Sequence, residues 1–327
     1  MAQKNLIDGV HDALRDAMRE NGDVLVLGED VGARGGVFRA TDGLLAEFGA
    51  ERVIDSPLAE SAIVGVAIGM ALHGLRPVAE IQFADFILPA MNQILSEAAK
   101  MRYRSYNDWC VPMVIRAPFG GGVHGALYHS QSNEGLFMMT PGLKVVIPSN
   151  PLDAYGLLRS AIDDEDPVVF YEHKRLYRLL KAEIPDNPPR VPIGKAVVSR
   201  AGTDLTIIAY GLMHHFALEA AKTLEGEGID AEIVDLRTLL PLDRDTILQS
   251  VAKTHRALVV YEANRTLGPG AEVSALIAEE ALFDLDAPIL RITGPDVPAM
   301  PFNRAQEEAF MPSPERIAQG ARRLVAA

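Results

Sequence analysis

The sequence predicts an α/β protein with two domains, each a mostly parallel sheet covered by helices. Short runs rich in valine and isoleucine alternate with longer stretches of helical period, which is the pattern of parallel sheets with crossover helices. The chain has 327 residues, more than a single hydrophobic core usually organises. Prolines and polar residues interrupt the rhythm at 182–203, and such a stretch is typical of a domain boundary.

The first domain is predicted over residues 1–182. Its N-terminal stretch, MAQKNLIDGVHDALRDAMREN, has the pattern of an amphipathic helix and lacks the apolar core of a secretory signal. The predicted strands are VLVLG at 24–28, the stretch 78–83, VPMVIRAP at 111–118, KVVIP at 144–148 and PVVFYE at 167–172. The predicted helices cover 60–73, 85–103 and 151–162.

A linker at 183–202 and a second, smaller α/β domain at 203–327 are predicted next. About four strands are expected, in DLTIIAYG, DAEIVDLRT, RALVVYEA and PILRITG. Helical patterns separate them at 213–226, after Leu242, and at 270–283. The second domain shows no repeat of the first.

Composition excludes several classes of protein. The formal net charge of -13 argues against a nucleic-acid partner, because phosphate neutralisation needs excess Lys and Arg. The lone cysteine, Cys110, excludes an intramolecular disulfide framework and a cysteine-rich metal site. No apolar run approaches the ~18 residues of a membrane span. A cytoplasmic protein without membrane or nucleic-acid partners is expected.

The loops after the strands are where an open α/β sheet binds ligands. LGEDVGARGG follows the first strand without forming G-x-G-x-x-G, and neither G-x-x-x-x-G-K-[ST] nor G-x-S-x-G occurs. A Rossmann dehydrogenase, a P-loop NTPase and a serine hydrolase of the nucleophile-elbow type are therefore disfavoured.

Three places in the first domain carry candidate site residues. Glu60 begins the helix ESAIVGVAIGMAL, where a carboxylate either complements the helix dipole or lies buried beside a cofactor. Gln82 and Phe86 lie in EIQFADF at a strand end, where the aromatic is either core or a stacking partner. His129 lies in HGALYHSQS behind three glycines; Ser130 or Ser132 could instead cap the next helix, with the histidines as loop residues.

Seven segments together resemble the beta subunit of the thiamine diphosphate-dependent decarboxylase component of 2-oxo acid dehydrogenase complexes. In chain order they are LGEDVGARGGVFRAT, SPLAESAIVGVAIGMA, AEIQFADF, GALYHSQS, PGLKVVIPS, DPVVFYEHKRLYR and AEIVDLRTLLPLD. Each stretch alone is unspecific, but the ordered set covers essentially the whole chain. EIQFADF and HGALYHSQS look most like the branched-chain, 2-oxoisovalerate type.

The resemblance implies a two-domain transketolase-like fold and half of an active site. In that family the cofactor lies between two subunits, and the alpha subunit holds the diphosphate and magnesium while the beta subunit holds the aminopyrimidine. The alpha signature, Gly-Asp-Gly followed some thirty residues later by Asn, does not occur in this sequence. An α2β2 heterotetramer is therefore expected, with a lipoyl acyltransferase component as a further partner.

The resemblance also assigns roles to individual residues. Glu60 matches the glutamate that hydrogen-bonds N1' of the aminopyrimidine, while Leu58, Gln82 and Phe86 match positions that line the ring. Many branched-chain members have tyrosine at the position of Phe86, so this chain keeps the ring and lacks the hydroxyl. His129 matches a cofactor-binding histidine near the thiazolium ring, which assists proton transfer and stabilises the bound intermediate during acyl transfer to the lipoyl group.

A structural potassium site is implied as well. Family members bind potassium through backbone carbonyls at positions that match Met113, Ala161, Asp164 and Asp166, the last of which is often asparagine. Hard cations favour oxygen ligands, and carbonyl ligands require little of the side chain.

The implied function is decarboxylation of a branched-chain 2-oxo acid and reductive acylation of a lipoyl group. One alternative is the same chemistry on pyruvate or acetoin, because much of the substrate pocket should come from the alpha subunit. Another is a non-catalytic scaffold subunit that retains the fold.

Overall fold

The structure, a computed structural model, describes residues 2–327 and divides into two compact units. Unit 1 comprises the chain up to Phe119 together with Leu136–Ile193. Unit 2 comprises Gly120–Gly135 and Gly194–Ala327. The division at Ile193 falls inside the predicted linker, 183–202, which also contains short strands. The segment Gly120–Gly135 belongs to unit 2 although unit 1 flanks it in sequence.

Unit 1 is built on a parallel sheet. Its strands are β1 (Ala2–Lys4), β2 (Val24–Gly28), β3 (Val53–Asp55), β4 (Arg76–Glu80), β5 (Val114–Phe119), β6 (Lys144–Val146), β7 (Val168–His173) and β8 (Ala182–Ile184). Within this unit the order is β6-β7-β5-β4-β2-β3, with every neighbouring pair parallel. β1 and β8 form a separate antiparallel pair. The parallel α/β sheet predicted from sequence is confirmed.

Helices accompany the strands of unit 1. They are α1 (Leu6–Glu20), α2 (Leu44–Phe48), α3 (Glu60–Leu72), α4 (Met101–Arg104), α5 (Gly135–Met138), α6 (Pro151–Asp163) and α7 (Leu176–Leu179). Asn5 begins α1 with a capping box, since its side chain accepts from Asp8 N and Asp8 accepts from Asn5 N. The buried face of α1 packs on α6, and Gly9 lets the two backbones come close to each other.

The continuous helix predicted at 85–103 is interrupted in the structure. A 3-10 helix covers Ala84–Ala90, a π-helix covers Asn92–Ala98, and α4 follows. Pro89 lies inside the first of these, and proline has no N–H to continue an α-helical hydrogen-bond ladder. The prediction of one regular helix was therefore wrong there.

Unit 2 has a five-stranded sheet of order β14-β13-β10-β11-β9. The strands of this unit are β9 (Val197–Arg200), β10 (Leu205–Ala209), β11 (Ala231–Asp235), β12 (Thr238–Leu240), β13 (Ala257–Asn264) and β14 (Leu290–Gly294). Its helices are α8 (Gly211–Glu225), α9 (Arg244–Thr254), α10 (Pro269–Glu280), α11 (Arg304–Phe310) and α12 (Pro314–Val325). The four predicted strands are the parallel ones, and the edge strand β9 is antiparallel.

A buried ion triad joins three strands of the unit 1 sheet. The Arg116 guanidinium on β5 donates to Glu80 on β4 at 2.6 Å and to both carboxylate oxygens of Glu172 on β7 at 2.6 and 2.8 Å. All three side chains are at most 4% exposed. Burial raises the pKa of Glu80 above its ordinary value, although the neighbouring guanidinium opposes the shift. Removing the cation would leave two buried carboxylates without a counter-ion.

Within residues 2–327, the longest apolar helices fall short of the length and hydropathy that a bilayer crossing requires.

Replacing Arg116 with Met should destabilise unit 1 by about 3–5 kcal/mol, because breaking a buried ion pair strands a buried charge. Urea unfolding of the purified chain, followed by circular dichroism, measures the loss. The matched control is Arg322→Met, which removes an exposed bidentate pair with Glu227. Equal unfolding midpoints for the two variants would contradict the importance assigned to the triad.

Candidate active site

The candidate site of unit 1 forms where three neighbouring strands end. β3, β2 and β4 are adjacent and parallel, so their carboxyl ends meet at one edge of the sheet. Glu29 and Asp30 follow β2, Leu58 and Glu60 follow β3, and Gln82 follows β4. Parallel pairing therefore gathers residues separated by some fifty positions of sequence into one region.

Hydrogen bonds join the loops at this edge. Ser56 N donates to Gly28 O at 2.8 Å, and Gly32 N donates to Asp55 Oδ1 at 2.6 Å. Gln82 Nε2 approaches Asp30 Oδ2 at 3.4 Å. Gln82, a candidate site residue from the sequence, is thereby held next to Asp30, which the sequence did not mark as a candidate.

Glu60 is the first residue of α3 and is half-buried. Free N–H groups at a helix N-terminus stabilise a negative charge, so the dipole alternative raised from sequence applies. The next residue fixes the helix start, because Ser61 Oγ donates to Pro89 O at 2.5 Å in the 3-10 helix that carries Phe86. The structure therefore places Glu60 and Phe86 on two helices that pack together.

Negative charge is concentrated at these strand ends. The pKa of Glu29 is raised, first by burial and then by the nearby Asp30 and Glu60 carboxylates. Glu29 and Asp30 are the residues that sequence reasoning missed. Their position in LGEDVG, directly after the first strand of a parallel sheet, was the available signal.

Phe86 ends a series of four aromatic rings. Phe86 lies 5.8 Å from Phe83, which lies 5.5 Å from Phe38, which in turn lies 5.0 Å from Tyr177, all between ring centroids. The Tyr177 hydroxyl donates to Glu172 at 2.6 Å. The half-buried Phe86 ring therefore rests on packing that extends to the buried triad, whereas Leu58 is 72% exposed.

His129 belongs to unit 2, in the segment Gly120–Gly135, which we call the histidine loop. A 3-10 helix at Ala126–Tyr128 precedes it, and the side chain is half-buried. Gly122, His124 and Ala126 adopt positive φ values of 77°, 58° and 58°. The Ser132 hydroxyl donates to Glu262 Oε1 at 2.9 Å rather than capping a helix.

The residues implied in potassium binding lie together where α6 ends and β7 begins. Met113 O accepts from Val168 N at 3.0 Å, and Asp166 N donates to Asp164 Oδ1 at 2.9 Å, while Ala161 lies in the last turn of α6. Cationic side chains already contact both carboxylates. Lys144 Nζ is 2.6 Å from each Asp164 oxygen, and Arg102 Nε is 2.5 Å from Asp166 Oδ1. The Asp164 carbonyl oxygen accepts from Arg76 Nη1 at 3.1 Å and the Ala161 carbonyl oxygen from Asp164 N at 3.4 Å, so a further cation would share these carbonyl oxygens with existing donors.

Side-chain clusters of three or more His, Cys, Asp or Glu residues arranged to hold a metal ion do not occur within residues 2–327. This finding concerns side-chain ligands and does not bear on a cation site made of backbone carbonyl oxygens.

Both units match known domain families. Residues 2–179 match the transketolase pyrimidine-binding domain, and residues 194–317 match the transketolase C-terminal domain. The 2-oxoisovalerate dehydrogenase subunit beta of Bacillus subtilis is 56% identical over 324 residues, 99% of both chains. This chain belongs to the family of 2-oxo acid dehydrogenase beta subunits.

Other members of the family are nearly as similar. The pyruvate dehydrogenase E1 component subunit beta of Bacillus subtilis is 52% identical over 99% of both chains. A solved structure described as a split-gene transketolase in an inactive beta4 tetramer superposes with a TM-score of 0.79, at 25% identity and 99% coverage of both chains. The two-domain transketolase-like fold predicted from sequence is confirmed.

The strand-end residues of unit 1 fit the aminopyrimidine half of thiamine diphosphate. A carboxylate and an exposed aliphatic side chain, Glu60 and Leu58, follow β3, and an amide and an aromatic ring, Gln82 and Phe86, follow β4. A flat heteroaromatic ring needs this combination of polar edge contacts and apolar faces. None of these side chains is a phosphate-binding cation.

Unit 2 has a buried ionisable side chain, Glu134, at the end of the histidine loop. Glu134 is fully buried, and the Tyr210 hydroxyl donates to its Oε1 at 2.6 Å. Burial raises the pKa of Glu134 from 4.5 to about 7, with Glu262 adding to the shift and the Tyr210 hydrogen bond opposing it. The other oxygen, Oε2, is buried without a hydrogen-bond partner in the described chain.

Glu134 should make stability depend on pH. Its folded pKa of about 7 exceeds the ordinary value of 4.5, so the folded chain binds more protons, and stability falls as pH rises through that window. The Gln variant at position 134 cannot ionise. Between about pH 5 and pH 8, its stability relative to wild type should rise by about 2–3 kcal/mol.

Urea unfolding of wild type and Glu134→Gln at the two pH values measures this change. The exposed Glu279→Gln is the control and should show none. A pH-independent difference between wild type and Glu134→Gln would contradict the raised pKa.

Proposed function

We propose that this chain supplies the aminopyrimidine side of a thiamine diphosphate site in the decarboxylase component of a 2-oxo acid dehydrogenase. The observation that carries the proposal is the position of Glu60, half-buried at a helix N-terminus among joined strand ends. Membership of the beta-subunit family agrees with it. The preferred substrate in this proposal is a branched-chain 2-oxo acid.

Glu60 would hold and exchange one proton with N1' of the aminopyrimidine. Bound thiamine diphosphate supplies a carbon nucleophile that adds to the 2-oxo group and stabilises the negative charge left by loss of carbon dioxide. Glu60 lies in the first turn of α3, where unpaired backbone N–H groups attract a hydrogen-bond acceptor. Partial burial strengthens a carboxylate hydrogen bond, because competing water is excluded.

The other strand-end residues would hold the ring in place. Phe86 offers a ring edge or face that the aromatic series supports, and Leu58 offers exposed apolar surface that a bound ring would cover. Gln82 orients its amide through Asp30. These contacts bind and orient, whereas proton transfer is left to Glu60 and, during lipoyl acylation, to His129.

An alpha subunit is proposed as the partner that holds the diphosphate and magnesium, in an α2β2 heterotetramer. Helix α3 supports this partner, because it is apolar all round while Val66 on its outer side is 50% exposed. Gly65 and Gly69 add little bulk there, so another backbone could come close. A lipoyl acyltransferase is proposed as the acceptor component, and the cytoplasmic location stays a prediction.

Potassium binding through carbonyls of Met113, Ala161, Asp164 and Asp166 is a subordinate part of the proposal. Their shared location at the end of α6, where carbonyl groups carry partial negative charge, supports it. The site lies at the amino ends of β5 and β7, so its role would be structural.

Replacing Glu60 with Gln in the reconstituted complex should lower decarboxylation by a factor on the order of 10²–10⁴, because an amide cannot exchange the proton. Steady-state decarboxylation at saturating thiamine diphosphate measures the loss, and calorimetry checks that the cofactor still binds. Glu51→Gln, at an exposed turn, is the control. A decarboxylation rate near wild type in Glu60→Gln would contradict the proposed role of Glu60 in proton exchange.

The substrate needs a separate test, because a pyruvate dehydrogenase beta subunit is also 52% identical. The complex should turn over 3-methyl-2-oxobutanoate with a higher kcat/KM than pyruvate or acetoin. A preference for pyruvate or acetoin would move the chain to that branch without changing the chemistry proposed for Glu60.

A scaffold subunit without catalytic residues is the second candidate. One observation favours it, since the similar solved structure is described as an inactive beta4 tetramer. Activity of the assembled complex with an alpha subunit separates the two candidates. If this chain is only a scaffold, then Glu60→Gln should leave that activity unchanged in a correctly assembled sample.

A further inference from the structure

The histidine loop, Gly120–Gly135, is held by two buried glutamates of unit 2. Glu262 lies on β13 and is 3% exposed, and Glu307 lies on α11 and is 1% exposed. Burying a carboxylate is costly unless donors surround it. In both cases the donors include groups of the histidine loop.

Glu262 joins the two limbs of the loop. Its Oε1 accepts from Gly121 N at 2.6 Å and from Ser132 Oγ at 2.9 Å. One carboxylate oxygen therefore connects residues on either side of His129. Between the same limbs, Gly120 N donates to Gln131 O at 3.2 Å.

Glu307 holds the first limb. Its Oε1 accepts from Gly122 N at 2.8 Å and from His124 N at 3.3 Å, and its Oε2 lies 2.6 Å from His124 Nδ1. Successive backbone N–H groups that converge on an anion form a nest, and positive φ at Gly122 and His124 helps to make it. Charge-assisted hydrogen bonds of this kind are roughly twice as strong as neutral ones.

Gly125 leaves the space in which the backbone and Cβ of His129 pack. A Cβ atom at Gly125 would lie 2.7 Å from His129 O, 2.8 Å from His129 Cβ and 2.8 Å from Ser130 Oγ. The φ of Gly125 is -84°, which other residues adopt without strain. Close packing against His129, rather than backbone conformation, is therefore what requires glycine here.

We propose that Glu262 and Glu307, which we call the carboxylate clamp, are positioning residues for His129. They fix both limbs of the histidine loop to unit 2, and Gly125 lets His129 pack against the loop in one orientation. The proposal rests on the proposed function, in which His129 assists proton transfer during acylation of the lipoyl group.

Precise placement matters because proton transfer requires hydrogen-bond distance. A displacement of about 1 Å in a catalytic group costs on the order of 10² in rate. Loss of clamp hydrogen bonds should therefore slow lipoyl acylation. Cofactor binding and the decarboxylation step, which we assign to the residues of unit 1, should change little.

The clamp itself is tested by amide hydrogen exchange on the full chain. Glu307→Ala should raise exchange at Gly122 and His124, and Glu262→Ala should raise it at Gly121, each by at least about tenfold, because a lost donor partner exposes the amide. Glu232→Gln is the control, since that buried glutamate of β11 accepts from Lys253 and Gly202, which lie outside the loop. Unchanged protection in the clamp variants would overturn the clamp.

The link to His129 is tested in the reconstituted complex by comparing two rates. Glu307→Gln and Gly125→Ala should slow reductive acylation of a lipoyl domain by about 10-fold or more. Decarboxylation with an artificial electron acceptor should stay within about threefold, as expected for a step that does not use His129. The conservative Glu262→Asp should lose less acylation than Glu262→Ala.

A double-mutant cycle separates positioning from general destabilisation. If Glu307 acts through His129, then Glu307→Gln should cost nothing further in a His129→Ala background. Additive losses would overturn the positioning role. A wild-type acylation rate in His129→Ala, together with lost amide protection in Glu307→Ala, would instead overturn the proposed role of His129 while leaving the clamp in place.

Discussion

The buried pairing of Arg116 with Glu80 and Glu172 is the interaction on which unit 1 depends. Three charged side chains at most 4% exposed join β4, β5 and β7. Such a group is stable only when each member keeps its partners. Because Glu172 also accepts from Tyr177, which begins the aromatic series to Phe86, the triad supports the packing beneath the candidate cofactor site.

Unit 2 uses buried carboxylates differently. Glu262 and Glu307 accept from N–H and hydroxyl groups of the histidine loop. Loops are more mobile than the strands and helices that they connect. Charged acceptors on β13 and α11 constrain this loop from the surrounding fold.

The sequence predicted those strands and helices that a local pattern of apolar residues encodes. The strands predicted from apolar runs are all present, and α3 and α6 begin where Glu60 and Pro151 predict, whereas the short strand β3 was not predicted. Prediction from sequence failed where contacts between distant parts of the chain determine the structure. The histidine loop belongs to unit 2 because of partners over a hundred positions away, and β9 becomes a strand only by pairing with β11.

The candidate site divides in the same way. Glu60, Gln82 and Phe86 were predicted from position and resemblance, and the parallel pairing of β3, β2 and β4 brings their segments to one edge of the sheet. Glu29 and Asp30 were missed although they follow a strand directly. Glu262 and Glu307 carry no local signal, since an acidic residue in a strand or helix reads as a solvated side chain until its partners are known.

The most direct test of the account is to purify this chain from its own cells and identify the bound proteins and cofactor by mass spectrometry. The account predicts a stoichiometric alpha subunit carrying the Gly-Asp-Gly and Asn signature, together with thiamine diphosphate. An assembly of this chain alone, with no cofactor, would contradict the claim that it forms half of an active site.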